Sequence, residues 1–200
     1  MKTFSVFAFL IVLGMTSCGK LYLRLKYDVR NFKPRNTSEL KSYLADKGIA
    51  YDQFLRISET AFNEQSHMAF KPGWKEGLRP IQMRAFDSTG IMIMQWAVCE
   101  GFFEMLGTLD TFPPRNTGVL VPHDLTADLQ QYNDNSGKTP DPNQFKPFDL
   151  CLVVYWSRAF GEMGLRSIRP VNAFINRFRD KRIVLLMVSL DPQKDWKVKR

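Results

Sequence analysis

The sequence has little of what most metal centres need. Three cysteines and two histidines occur in 200 residues, too few for most structural metal clusters. No basic run interleaved with aromatics forms a nucleic-acid stripe, which argues against a nucleic-acid partner. The apolar run at residues 4–15 is about a dozen long, short of the roughly 20 that span a bilayer. His67 and His123 have no neighbouring serine or cysteine to activate and read as surface residues. What is present is an ordinary globular composition, 44% apolar, which excludes a disordered or collagen-like chain. The balance of 28 basic against 20 acidic residues gives +8, a field that would attract an anionic envelope lipid or an acidic protein, although it reads foremost as a solvated basic surface.

Lys2, the apolar run and the small residues Thr16 and Ser17 before Cys18 have the pattern of a secretory signal. Thr16-Ser17-Cys18 resembles the lipobox of bacterial lipoproteins, with Met15 where that motif prefers leucine. The resemblance implies that residues 1–17 are removed, that Cys18 is acylated, and that the body is anchored to the bacterial envelope facing the periplasm, at the outer membrane rather than the inner. An ordinary secretory signal and a buried N-terminal helix are the alternatives. Removal takes away only Lys2 among the charged residues and leaves the body basic.

The body divides into residues 18–110, a proline-rich excursion over 111–147 and a last stretch over 148–200. Residues 21–29 alternate apolar and polar side chains and predict a half-buried strand. Asn36 and Glu39 have capping-box spacing, Leu40, Tyr43 and Leu44 share a helical face, and Gly48 ends the helix. Phe54, Leu55 and Ile57 predict a strand, with Ser58 capping a helix to about residue 70. Ile81, Met83 and Ala85 alternate with Gln82 and Arg84, Asp87-Ser88-Thr89-Gly90 makes a turn, and residues 91–98 are apolar: a β-hairpin. The excursion holds six of the eleven prolines and one short helix over residues 125–131. Asn133-Asp134-Asn135-Ser136-Gly137 has part of a calcium loop but not its remaining ligands or closing glutamate, and reads as a polar turn. Residues 150–156 and 183–188 are apolar throughout, as strands covered on both faces are. Between them Leu165, Ile168, Val171, Ile175 and Phe178 recur at helical spacing, so the unit is β-α-β with strands 149–156 and 182–190 parallel neighbours. Pro170 is expected in the first turns of that helix or at a kink.

Val153-Val154-Tyr155-Trp156, the loop over 157–163, Pro170 and Val188-Ser189-Leu190-Asp191 together resemble the thioredoxin-like superfamily, in particular the membrane-anchored periplasmic thiol-disulfide oxidoreductases of Gram-negative bacteria. The likeness spans residues 149–195. Upstream, Pro80 and the strand after it resemble that family's proline-led strand, although there it follows the redox loop and here it precedes it. The resemblance implies an α/β fold with a mixed sheet flanked by helices, built either as two incomplete thioredoxin-like halves or with a different strand order. It also implies a cleft beside Trp156 and Pro80. The family's redox pair is a Cys-x-x-Cys at the start of the helix. Counting from Trp156, those positions are Phe160 and Met163 in Phe160-Gly161-Glu162-Met163; counting back from Pro170, they are Glu162 and Leu165. Neither finds a cysteine, and no other side chain there exchanges thiols.

The expectation is a redox-inactive, non-enzymatic envelope lipoprotein that binds a protein or small ligand, with no cofactor, metal or catalytic residue assigned. The alternative is a thiol-disulfide oxidoreductase or peroxidase-like enzyme that uses Cys99. Cys151 lies in an apolar strand and reads as a small hydrophobe; a disulfide between Cys99 and Cys151 is a further possibility. Phe32, Trp74, Phe112 and Phe145 sit beside prolines, either as an exposed cluster or buried under the excursion.

Overall fold

In a computed structural model, residues 28, 30–31, 33–69, 81–97, 106–112, 114, 123–194 and 196 are described, residues 66–69 and 97 in backbone only. Cys18, Phe32, Trp74, Pro80, Cys99 and the strand expected over 21–29, apart from Asp28, lie outside them. The first helix, α1 (Thr37–Asp46), starts at Asn36, but no side chain caps it. Glu39 turns instead to Arg35 as an ion pair, so the anticipated capping box is not made. Gly48 ends the helix at φ +68, a conformation glycine adopts without a Cβ clash.

Strand β1 (Gln53–Ile57) leads into helix α2 (Glu59–Ala69), where Ser58 Oγ accepts the Ala61 N–H at 3.2 Å. The hairpin is β2 (Gln82–Asp87) and β3 (Met92–Ala97). Asp87 Oδ1 closes its turn by accepting from the N–H groups of Thr89 and Ile91. The excursion carries helix α3 (Leu125–Leu129) and the two-residue strand β4 (Tyr132–Asn133). Asp134 spends its carboxylate on the turn itself, accepting from the N–H of Ser136 and Lys138 and from Ser136 Oγ. Strand β5 (Leu150–Trp156), helix α4 (Gly161–Arg177) and strand β6 (Ile183–Ser189) are the last elements among the described residues.

Among the described residues one six-stranded sheet contains all the strands, in the order β3-β2-β5-β6-β1-β4. Strands β5, β6 and β1 are parallel, as expected for the first pair, and β2 and β4 add antiparallel to the outer two. The stretches 18–110 and 148–200 therefore both contribute strands to one sheet. This is a mixed α/β fold with helices on both faces. Successive residues of β5 face opposite cores. Leu152, Val154 and Trp156 pack with Leu40 and Leu44 of α1 and with Leu165, Ile168 and Val171 of α4. Cys151, Val153 and Tyr155 pack under Ala61, Leu125, Leu129, Phe145 and Phe148. Each fully enclosed Leu or Val contributes about 1.5–3 kcal/mol. Phe145 is thus core, and Phe112 packs on Phe178 with centroids 5.3 Å apart, which settles the loop aromatics among the described residues as buried or packed.

Pro170 sits in the interior of the 17-residue α4, not in its first turns. It withholds the N–H that would meet the carbonyl of residue 166. The strongly amphipathic face, with Leu165, Ile168, Val171 and Phe174 buried, holds the helix in place despite that missing bond.

Candidate functional site at the strand ends

In open α/β sheets the carboxyl ends of parallel strands are where loops converge and ligands bind. Here β5, β6 and β1 end together. Strand β5 ends in Trp156; Ser157 then starts a 3₁₀ turn over Arg158–Phe160, its Oγ accepting the Ala159 N–H at 3.1 Å. Phe160 is the N-cap residue of α4, and Gly161 follows at φ +50, ψ −131, a conformation close to glycine-only. Met163 falls in the first turn. Phe160 thus stands at the helix N-terminus, where a thiolate would gain most from the helix dipole.

Glu162, the acidic residue of that first turn, is tied down from two sides. Lys47 Nζ lies 2.8 Å from one carboxylate oxygen and Arg169 3.0 Å from the other. The hydrogen bond from Lys47 holds its carboxyl below the ordinary range against a smaller push upward from burial, and Arg169 adds to the lowering.

Behind the turn, Asp191 is fully enclosed. Its carboxylate accepts from Ser157 Oγ at 2.9 Å, the Arg158 N–H at 2.8 Å and Ser189 Oγ at 3.2 Å, with Arg35 Nε at 3.7 Å. Burial is the largest influence and raises its pKa despite those donors. Arg56, at the end of β1, donates to the carbonyls of Arg35, Asp191 and Pro192 and to Thr37 Oγ1. These groups brace the strand ends. Ser157 is 1% exposed and already bonded to Asp191, so no accessible nucleophile with a general base is built here.

The outward side of the turn carries Arg158. Its guanidinium lies 3.8 Å from the centre of the Tyr43 ring, and Tyr43 stacks on Trp156 at 6.2 Å and 11°. Trp156, expected beside a cleft, is 1% exposed beneath that stack. The register pairs Gln82 with Tyr155, which brings the start of β2 to the end of β5. Asp28, Arg30 and Arg35 bond to the turn and its neighbours. Arg30 N–H donates to the Ala159 carbonyl at 2.8 Å, Arg35 N–H to Pro192 at 3.0 Å, and Asp28 pairs with Arg158 at 2.7 Å.

A second polar centre lies inside the opposite core. Asp128 of α3, with no exposed surface, meets Arg84 of β2 in an ion pair. It also accepts from Tyr132 OH at 2.8 Å and Tyr155 OH at 3.4 Å, and His123 Nε2 is 3.0 Å away. The two tyrosine hydroxyls bond to each other, and Arg84 lies over the Tyr155 ring at 5.2 Å. His123 is therefore not a free surface residue: it is three-quarters enclosed and held by Asp128. This constellation ties the excursion to the sheet. Its members come from separate elements, with no spacing that announces them.

Cys151, the second residue of β5, is a free thiol, and burial, with smaller contributions from Asp128 and Asp52, pushes its pKa far up. It is thus not engaged in a disulfide. Among the described residues no cluster of His, Cys, Asp and Glu could hold a metal ion, and no helix is long and apolar enough to cross a membrane. No family model, no curated protein and no solved structure matches the chain.

Proposed function

We propose that this protein is a lipid-anchored envelope protein with a thioredoxin-like unit that binds a partner and performs no thiol exchange. The observation that carries the reading is the junction of β5 and α4. A buried strand delivers its end to a helix N-terminus, as thiol chemistry would require. The positions there are Phe160, Gly161, Glu162 and Met163, with Glu162 neutralised by Lys47 and Arg169. A thiol brought to that helix end would meet a carboxylate as well as the favourable dipole. The described thiol, Cys151, is sealed in the core. The hairpin β2–β3 added antiparallel to β5 supports the likeness to the family's proline-led strand, in a permuted chain order.

The expected result of an insulin-reduction assay on the protein is no turnover above buffer, unchanged in Cys99→Ser and Cys151→Ser. Turnover in the unsubstituted protein that disappears in Cys99→Ser would establish the thiol enzyme instead. For the anchor, Cys18→Ala is expected to move the protein from the membrane pellet to the soluble fraction, because the acyl chains supply about 0.8 kcal/mol for each buried CH₂. Unchanged sedimentation in that variant removes the lipid anchor from the reading.

A further inference from the structure

We propose that the basic end of α4, formed by Arg177, Arg179, Lys181 and Arg182, rests on anionic phospholipid headgroups and turns the strand ends of the candidate site away from the bilayer. The inference takes from the lipid-anchored reading only the presence of a membrane beside the protein.

Residues 177–182 hold four basic side chains against one acidic, Asp180. Arg177, Arg179 and Arg182 are exposed, and among the described residues none of the three has a carboxylate partner. Asp180 lies 3.1 Å from Lys181 Nζ, and Asp149 accepts the Arg182 N–H at 2.8 Å. Farther up the same helix Arg169 is balanced by Glu162, so the excess sits at the C-terminal end. One cation in the last turn serves the helix dipole, and Arg177 is that cation. Arg179 and Arg182 stand beyond the helix. The Arg177 guanidinium lies 5.2 Å from the centre of the Phe178 ring and Lys181 Nζ 5.7 Å from that of Phe112. Those rings pack on each other and on the core, which fixes where the two cations stand.

The chemistry of this surface fits phosphate headgroups better than a protein. The core of a protein interface is apolar and depleted of charge, whereas among the described residues the large hydrophobic side chain that is exposed is Ile91, beside β3. Cations near an anionic leaflet need no such core, and each is worth about fivefold in binding. Arginine adds a planar fork of donors that matches phosphate geometry. The surface also has a defined place in the fold. Asp149 N–H donates to the Arg182 carbonyl at 2.9 Å, so the basic residues lie at the amino ends of β5 and β6. The seven residues of β5 put Trp156 about 20 Å away, more than two screening lengths of about 8 Å at physiological salt. The strand ends are thus left outside the headgroup field.

The test uses the full chain with Cys18→Ala, which holds no acyl chain, sedimented with phosphatidylglycerol vesicles or with phosphatidylcholine vesicles. The neutral vesicles measure what the rest of the chain contributes. Arg177→Gln, Arg179→Gln and Arg182→Gln together are expected to weaken binding to the anionic vesicles about tenfold or more and to leave binding to the neutral ones unchanged. Lys33→Gln, Lys138→Gln and Lys194→Gln remove the same charge from exposed positions on other parts of the chain. That set should stay within about threefold, because its charges lie beyond a screening length from the lipid. Lysine at the three arginine positions keeps the charge and should keep most of the binding, and equal urea midpoints report intact folds. Equal losses in the two glutamine sets overturn the proposal, as does an undiminished affinity in the arginine set or a loss as large in the lysine set. Binding of soluble polyglutamate through the same arginines, with no preference for anionic vesicles, would assign the surface to an acidic protein and overturn it too. Attachment of the chain that retains Cys18 is read separately, so a missing lipid anchor would sink that reading and leave the headgroup contact standing.

Discussion

Asp128→Asn is expected to lower the stability of the protein by about 3–5 kcal/mol, the cost of leaving a buried charge without its partner. Arg84 is 6% exposed, and a neutral amide would leave its enclosed guanidinium without a counter-charge. The Tyr132 hydroxyl would lose a charged acceptor as well. Arg84→Met combined with Asp128→Leu should recover most of the loss, because an apolar pair of similar volume needs no desolvation of ions. Urea unfolding of the three proteins decides it, and an unchanged midpoint for Asp128→Asn alone would show that Arg84 finds its compensation elsewhere. Burial alone would push the Asp128 carboxyl up; Arg84, followed by His123 and Tyr132, outweighs it and holds the pKa below the ordinary value. The sign follows from that. Its contribution is present above the unfolded carboxylate value of about 3.9 and is lost as pH falls through the lower folded one.

The other enclosed aspartate should respond in the opposite sense. Asp191→Ala removes the acceptor for Ser157 Oγ, the Arg158 N–H and Ser189 Oγ, and is expected to cost about 3 kcal/mol. Burial raises the Asp191 pKa above its unfolded value in spite of these donors. Its contribution is therefore complete below the unfolded value and declines as pH rises through the folded one. Above the unfolded carboxylate value of about 3.9 the deficit of Asp191→Asn should shrink as pH rises through the folded value, while the deficit of Asp128→Asn stays constant. Urea curves across a pH series make the comparison. Parallel behaviour of the two variants would contradict the opposite environments of the two carboxylates.

The sequence declares β5, α4 and β6 because each is long, apolar on the faces it buries, and local. The hairpin is equally plain, since Asp87 and Gly90 supply both the side-chain acceptor and the bend. Strand order is not readable in the same way, because periodicity says which face a residue buries and not against which strand. The alternation at Gln82 and Arg84 suggested a polar outer face. Instead α3 and Tyr132 cover that side, and Arg84 is enclosed because Asp128 arrives from 44 residues away. Glu39 shows the limit of spacing rules at shorter range. Arg35 offers it a full charge, and the capping bond to the backbone is not formed. At the candidate site the sequence shows that residues 157–163 carry no cysteine, whereas Arg35, Arg56, Tyr43 and Asp28 gather there only through tertiary contacts.

The pairing of β1 with β6 joins Gln53 to Leu186 and Arg56 to Ser189, so β1 waits for a strand made much later. Contacts of that span make closing the sheet a slow step, in the millisecond-to-second range. Until residues 183–189 arrive, β5 and β1 each present an open, apolar edge. A chain interrupted before residue 183 would thus be aggregation-prone rather than partly functional, and a growing chain remains unclosed, and open to capture by other proteins, until that strand is made.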